Sequence, residues 1–204
     1  MPTYPYQDAE PTYANSYLWP TLRGVVEKHT WPKRRAFDLG CGNGATCNML
    51  STLGFEATGV DTSESGVANG QKTYPHAKLA VGSAYDDLPS QYGTFPLVVS
   101  LEVIEHCTDP HAFAKSFLGL IAPGGIGILS TPYHGYLKNL ALAVTGKMDR
   151  HFTALWPGGH VKFFSMATLG QLLNEAGAKN IGFIRVGRIP PLAKSMVAVV
   201  QNVG

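Results

Sequence analysis

The chain has 204 residues, 15% of them charged and 45% apolar, a balance that suits one globular domain and excludes a disordered chain. A formal charge of +2 excludes nucleic-acid binding by bulk charge alone, and no apolar run reaches the roughly 20 residues that a membrane-spanning helix needs. The three cysteines, Cys41, Cys47 and Cys107, form no CxxC pair, and without a leader-like start we expect reduced thiols in a cytoplasmic protein.

In chain order, residues 1–30 carry Tyr13, Tyr17 and Trp19, read either as a lid over a ligand or as plain packing. Strands are expected at 35–39, 56–60, 78–82, 96–101 and 125–130, with helices near 44–53, 63–73 and 110–121. Asp109-Pro110 reads as an N-cap followed by proline at the first helical position, and Pro123-Gly124-Gly125 as the stop and the turn into the fifth strand. This alternation predicts an α/β fold with a parallel sheet covered on both faces. Residues 132–164 break the rhythm with aromatics, histidines and glycines, and a short helix is expected at 136–145. Ser165 caps a helix to Ala176 whose Leu169, Leu172 and Leu173 share a face. Two closing strands, 181–187 and 195–201, are joined by a short link and so form an antiparallel pair. One domain spanning 1–204 results.

The turn after the first strand is the richest motif: Phe37-Asp38-Leu39-Gly40-Cys41-Gly42-Asn43-Gly44. Glycine at alternate positions lets the backbone turn sharply and approach a ligand, beside a helix N-terminus that favours an anionic group. Asp61 ends the second strand, where a carboxylate accepts ribose hydroxyls in doubly wound folds, or else simply caps the next helix. The GxGxG spacing lacks the third glycine of a dinucleotide fingerprint, which argues against a nicotinamide-dependent dehydrogenase. A nucleoside bearing a carboxylate tail fits better, and S-adenosylmethionine (SAM) is the candidate. Ligands of such sheets sit at the strands' carboxyl ends. Cofactor candidates are therefore Asp38, Gly40, Cys41, Gly42, Gly44, Asp61, Thr62, Ser83, Ala84 and Leu101. Asp38 is read equally as a ligand contact or as a structural carboxylate, and Cys41 as a reactive thiol or a small filler.

Here the sequence resembles the class I SAM-dependent methyltransferases. The resemblance implies a Rossmann-like seven-stranded sheet of order 3-2-1-4-5-7-6 with strand 7 antiparallel. It implies that Leu101 lies against the cofactor. It also puts Ser83 where the superfamily often has an acidic residue on the adenine amine.

Leu101-Glu102-Val103-Ile104-Glu105-His106 is the second motif. A helical turn here would set Glu102, Glu105 and His106 at i, i+3 and i+4, on one face, as ligands of a divalent cation or as a solvated first turn. Together with Thr131-Pro132 and Gly159-His160-x-Lys162-x-Phe164, the motif resembles the ubiquinone-biosynthesis O-methyltransferases and the small-RNA 2′-O-methyltransferases. That resemblance implies a divalent cation such as Mg²⁺, held by Glu102, Glu105, His106 and His160. Without metal, His106 or His160 would be the catalytic base, whereas His134 and His151 read as structural.

Residues 132–164, with Tyr133, Tyr136, Phe152 and Trp156, would cover a small-molecule acceptor or pack onto the sheet. Residues 136–144 are apolar enough for peripheral membrane contact. The expected activity is SAM-dependent methyl transfer to a hydroxyl of a small phenolic or quinol-like molecule, by a monomer or a homodimer. A sugar hydroxyl, an amine or an RNA terminal ribose are the alternative acceptors, with RNA disfavoured by charge, and a SAM-binding protein without catalysis is the other reading.

Overall fold

Segments 36–39 and 97–100 are buried without interruption, as strands sandwiched between two helical layers must be. The computed structural model describes residues 4–156 and 158–202. In it, α1 (Asn15–Glu27) leads to β1 (Arg35–Leu39), α2 (Ala45–Thr52), β2 (Glu56–Asp61), α3 (Glu64–Thr73), β3 (Lys78–Val81), α4 (Leu88–Tyr92) and β4 (Phe95–Leu101). There follow α5 (Pro110–Gly119), β5 (Ile121–Pro132), α6 (Tyr136–Val144), α7 (Met148–Phe152), α8 (Met166–Glu175), β6 (Asn180–Val186) and β7 (Ser195–Gln201).

The sheet runs β3-β2-β1-β4-β5-β7-β6, parallel except for β7, which is antiparallel to both neighbours. This is the Rossmann-like order expected. Alternate residues feed two cores. Phe37, Leu39, Val98 and Leu129 meet Phe113, Phe117, Leu169 and Leu173 on one face. Ala36, Leu97, Val99 and Ile128 meet Leu18, Leu22, Val26 and Leu50 on the other.

The local signals acted as written. Asp109 Oδ1 accepts from the Ala112 amide at 3.0 Å, and Ser165 forms a reciprocal capping box with Thr168. Three elements are additional: α1, hidden by its internal Pro20, and the one-turn helices α4 and α7. The fifth strand begins earlier than expected, because the Pro123-Gly124-Gly125 turn is a loop inside β5 rather than the turn before it. Phe95 pairs with Ile121 while Leu97 pairs with Ile126, and Asn202 ties the looped residues down through Gly124 N and Gly125 O.

The predicted helical turn at 102–106 is corrected. Glu102 lies in the left-handed region at φ 56°, and only Ile104–His106 forms a short 3-10 turn. Residues 132–164 leave and rejoin the sheet at one point, where Tyr133 bridges Phe164 and the His134 amide donates to the Phe164 carbonyl at 2.9 Å.

Candidate active site

The glycine loop hangs from β2. The Gly40 and Cys41 amides both donate to the Val60 carbonyl, at 2.8 and 3.0 Å, and the Gly42 amide donates to Asp61 Oδ2 at 2.8 Å. Gly42 has φ 53°, and a Cβ there would strike the Tyr6 ring, so both its backbone angle and its surroundings demand glycine. Tyr6 packs against the loop at this glycine.

Asp61 also accepts from the Ser63 amide at 2.7 Å. Burial pushes its carboxyl up, while the Ser63 and Gly42 amides and nearby His106 pull it back. Two amides therefore aim Asp61 and leave it lone pairs for further donors. Thr62 is exposed beside it. Asp38 is buried and accepts from the Cys47 thiol at 3.7 Å, and burial raises its carboxyl to about 7. For Cys41, a hydrogen bond from Cys47 pulls the thiol down, but burial, Asp38 and Asp61 outweigh it, so the thiol stays protonated. It is a filler packed over Gly59. Leu101 packs with the core on the α1 side.

At the end of β3, Ser83 Oγ accepts from the Tyr85 amide at 3.1 Å, and the Ser83 amide donates to Asp86 Oδ2 at 2.7 Å, with Ala84 half-buried between them. Asp86 brings a carboxylate to this edge, held by the Ser83 amide. Its signal was the Ser-x-x-Asp spacing of a side-chain-capped turn.

Sequence reasoning missed a strap over this loop. Ser63 Oγ donates to the Tyr4 carbonyl at 2.6 Å, Asn69 to that of Tyr6 at 3.1 Å, and Asn43 to those of Asp8 and Glu10 at 3.2 and 2.9 Å. Tyr74 Oη donates to the Ala9 carbonyl at 2.7 Å. Burial and Asp61 raise the Tyr6 phenol far above its ordinary value. Of the aromatics expected as a lid, Trp19 Nε1 donates to Thr46 Oγ1 at 3.3 Å, Tyr17 reaches Ser195, and Tyr13 is largely exposed.

The other half of the candidate site gathers β4, β5, β7 and segment 132–164. Glu102 accepts from Ser130 Oγ at 2.7 Å through one carboxylate oxygen and from Ser195 Oγ at 3.0 Å through the other. Tyr17 Oη lies 3.3 Å from Ser195 Oγ, whose proton is given to Glu102, so the phenol is the donor. Burial raises the Glu102 carboxyl to about 7. Glu105 is 1% exposed; one oxygen accepts from Thr131 Oγ1 at 3.0 Å, and Oε1 is buried with no hydrogen-bond partner among the described residues. Burial, then the charge of Glu102, holds its carboxyl well above the ordinary range.

His160 Nε2 stands 4.0 Å from that orphaned oxygen, and burial lowers the imidazole to about 4. Geometry alone would suggest an ion pair, but both shifts oppose it, and the neutral form of each partner is favoured. His106 donates Nδ1–H to the Gly158 carbonyl at 2.8 Å, which leaves the lone pair on Nε2. The His106 and His160 rings are 4.8 Å apart, and Trp156 packs against both while touching Tyr4 of the strap.

Ligand atoms of Glu105, His106 and His160 lie within 4.8 Å of one another, whereas Glu102, spent on two serine hydroxyls, is outside that group. The expected four-residue set thus reduces to three. An orphaned buried oxygen facing two imidazoles fits a cation. His134 and His151 instead pack with Phe152 and Phe163.

A sheet of this order, with a glycine loop after β1 and a carboxylate after β2, defines the SAM-binding methyltransferase fold. Among solved structures, magnesium protoporphyrin IX methyltransferase from Synechocystis PCC 6803, with bound SAH, superposes with a TM-score of 0.67 at 18% identity, over 91% of this chain and 81% of that one. A ubiquinone biosynthesis O-methyltransferase from Caulobacter sp. (strain K31) is 35% identical over 62% of this chain, which spans 51% of that relative's length. Its counterpart from Methylococcus capsulatus (strain ATCC 33009 / NCIMB 11132 / Bath) is 30% identical over 80% of this chain and 73% of its own. The methyltransferase-domain family matches residues 25–182, and the chain belongs to it.

Proposed function

We propose that the chain is a SAM-dependent methyltransferase that transfers the methyl group to a hydroxyl of a small phenolic or quinol-like acceptor. The observation that carries this reading is the cluster of Glu105, His106 and His160 beside the glycine loop and Asp61, with the buried Glu105 Oε1 unpartnered among the described residues. It is supported by the relatives named O-methyltransferase.

SAM carries its methyl on a sulfonium, so the protein must align an acceptor oxygen with that methyl and take its proton. The glycine loop and Asp61 would hold the nucleoside and the carboxylate tail, and Asp86 would face the adenine edge. Nε2 of His106 is available for a proton, and neutral His160 stands beside it. Residues 132–164 and the strap would exclude water, meeting through Trp156 and Tyr4.

A divalent cation would be held by Glu105, His106 and His160. When bound, it supplies Lewis acidity that lowers the pKa of an acceptor hydroxyl. Two imidazoles with one carboxylate suit a first-row transition cation better than Mg²⁺.

The test is a panel of catechols with SAM, run with and without chelator, beside calorimetry with S-adenosylhomocysteine. Methylated catechol and a chelator-sensitive rate are expected. Absence of both heat and a melting shift with S-adenosylhomocysteine would overturn the reading.

A further inference from the structure

We propose that the acceptor carries a carboxylate recognised by the buried ammonium of Lys138, an inference that rests on the acceptor site proposed above. Helix α6 is inside out. Lys138 is its one buried side chain, while Tyr136, Leu137, Leu140 and Val144 are exposed by 45–79%. An ordinary surface helix turns its apolar stripe inward and its lysines to water.

Burying an ammonium is costly unless an anion or several acceptors receive it. Lys138 Nζ donates to the Lys194 carbonyl at 3.2 Å, an oxygen that already accepts from the Tyr133 amide. No carboxylate lies within ion-pair distance of it among the described residues. Two of its three donors are therefore left for something else.

That amine reaches the start of β7, next to the residues proposed to receive the acceptor. The residue after its carbonyl partner is Ser195, which donates to Glu102. Its charge is also felt at Glu102, His134, His151 and His160, while Arg188 adds a second, exposed cation. Glu102 is not its counter-ion by contact, because both carboxylate oxygens are taken by serine hydroxyls. The rings of His134, Phe152 and Phe163 pack against one another beside this helix, where His134 Nδ1 lies 3.4 Å from Asn139 Oδ1. One buried cation matches one negative charge, which favours a carboxylate over a phosphate.

The test measures binding of 3,4-dihydroxybenzoate and of 4-methylcatechol to the full chain loaded with S-adenosylhomocysteine. The wild type is expected to hold the carboxylate about tenfold more tightly, the scale of a charge-assisted hydrogen bond. Lys138→Met removes that preference without changing 4-methylcatechol affinity, and Lys138→Arg restores part of it. A cofactor-induced melting shift equal to wild type confirms that each variant is folded. Equal affinities in the wild type, or a preference that survives Lys138→Met, overturn the proposal. Tight, lysine-dependent binding of the carboxylate with no methyl transfer would leave it standing and count against the hydroxyl-acceptor reading instead.

Discussion

The two ends of the cleft are built in different ways. The proposed cofactor end is a backbone device: amides of Gly40, Cys41, Gly42 and Ser63, fixed by β2 and Asp61, within one stretch of about 25 residues (40–63). The proposed acceptor end is a side-chain device, with Tyr17, Glu102, Glu105, Ser130, His160 and Ser195 drawn from distant parts of the chain. A backbone site tolerates change at few positions but takes one ligand. A side-chain site can be re-specified residue by residue, which suits a fold that serves many acceptors.

The sharpest test of that division is Glu105→Ala. Catalysis should fall at least ~100-fold with S-adenosylhomocysteine affinity unchanged, read by single-turnover assays beside calorimetry. A parallel loss of cofactor affinity would break the comparison. Gly42→Ala should do the reverse: φ 53° and contact with Tyr6 oppose any side chain, so cofactor binding weakens by more than ~30-fold. Asp61→Asn is milder, because an amide oxygen still accepts one bond; a tenfold loss in cofactor affinity, on the order of 1.4 kcal/mol, is expected in a titration.

Asp38 gives a stability prediction. Its carboxyl stands at about 7 in the folded chain against 3.8 ordinarily, so the native state holds the extra proton between those values. The contribution is fully present below pH 4 and lost as pH rises to 7. Relative to Asp38→Asn, the wild type without cofactor should lose stability across that window and run parallel above it, in urea melts at several pH values. The smallest effect concerns the outward side of α6, which we propose as the peripheral membrane contact: Leu140→Ser should lower co-sedimentation with anionic vesicles a few-fold and leave catechol methylation intact.

Legibility followed the same division. Gly40, Gly42, Gly44 and Asp61 could be read from the sequence, because a turn, a strand end and a helix start are local events. The strand order came from resemblance, since periodicity carries no information on which strands neighbour one another. The surroundings of Glu102 were not legible, because a helical spacing was assumed where the backbone turns left-handed and its carboxylate takes the Ser130 and Ser195 hydroxyls. The strap was invisible: its hydrogen bonds to Ser63, Asn69 and Tyr74 link residues about 60 positions apart, through carbonyls that any sequence would offer. Lys138 hid in an apolar segment because composition says nothing of which side faces inward.

The bridge between Tyr133 and Phe164 makes everything between them a closed excursion from the sheet. Such a loop can be lengthened, shortened or exchanged for another without re-threading a single strand, since its two feet already stand side by side. Swapping this stretch among relatives is thus a direct way to test the acceptor cover proposed for it while the glycine loop stays as it is.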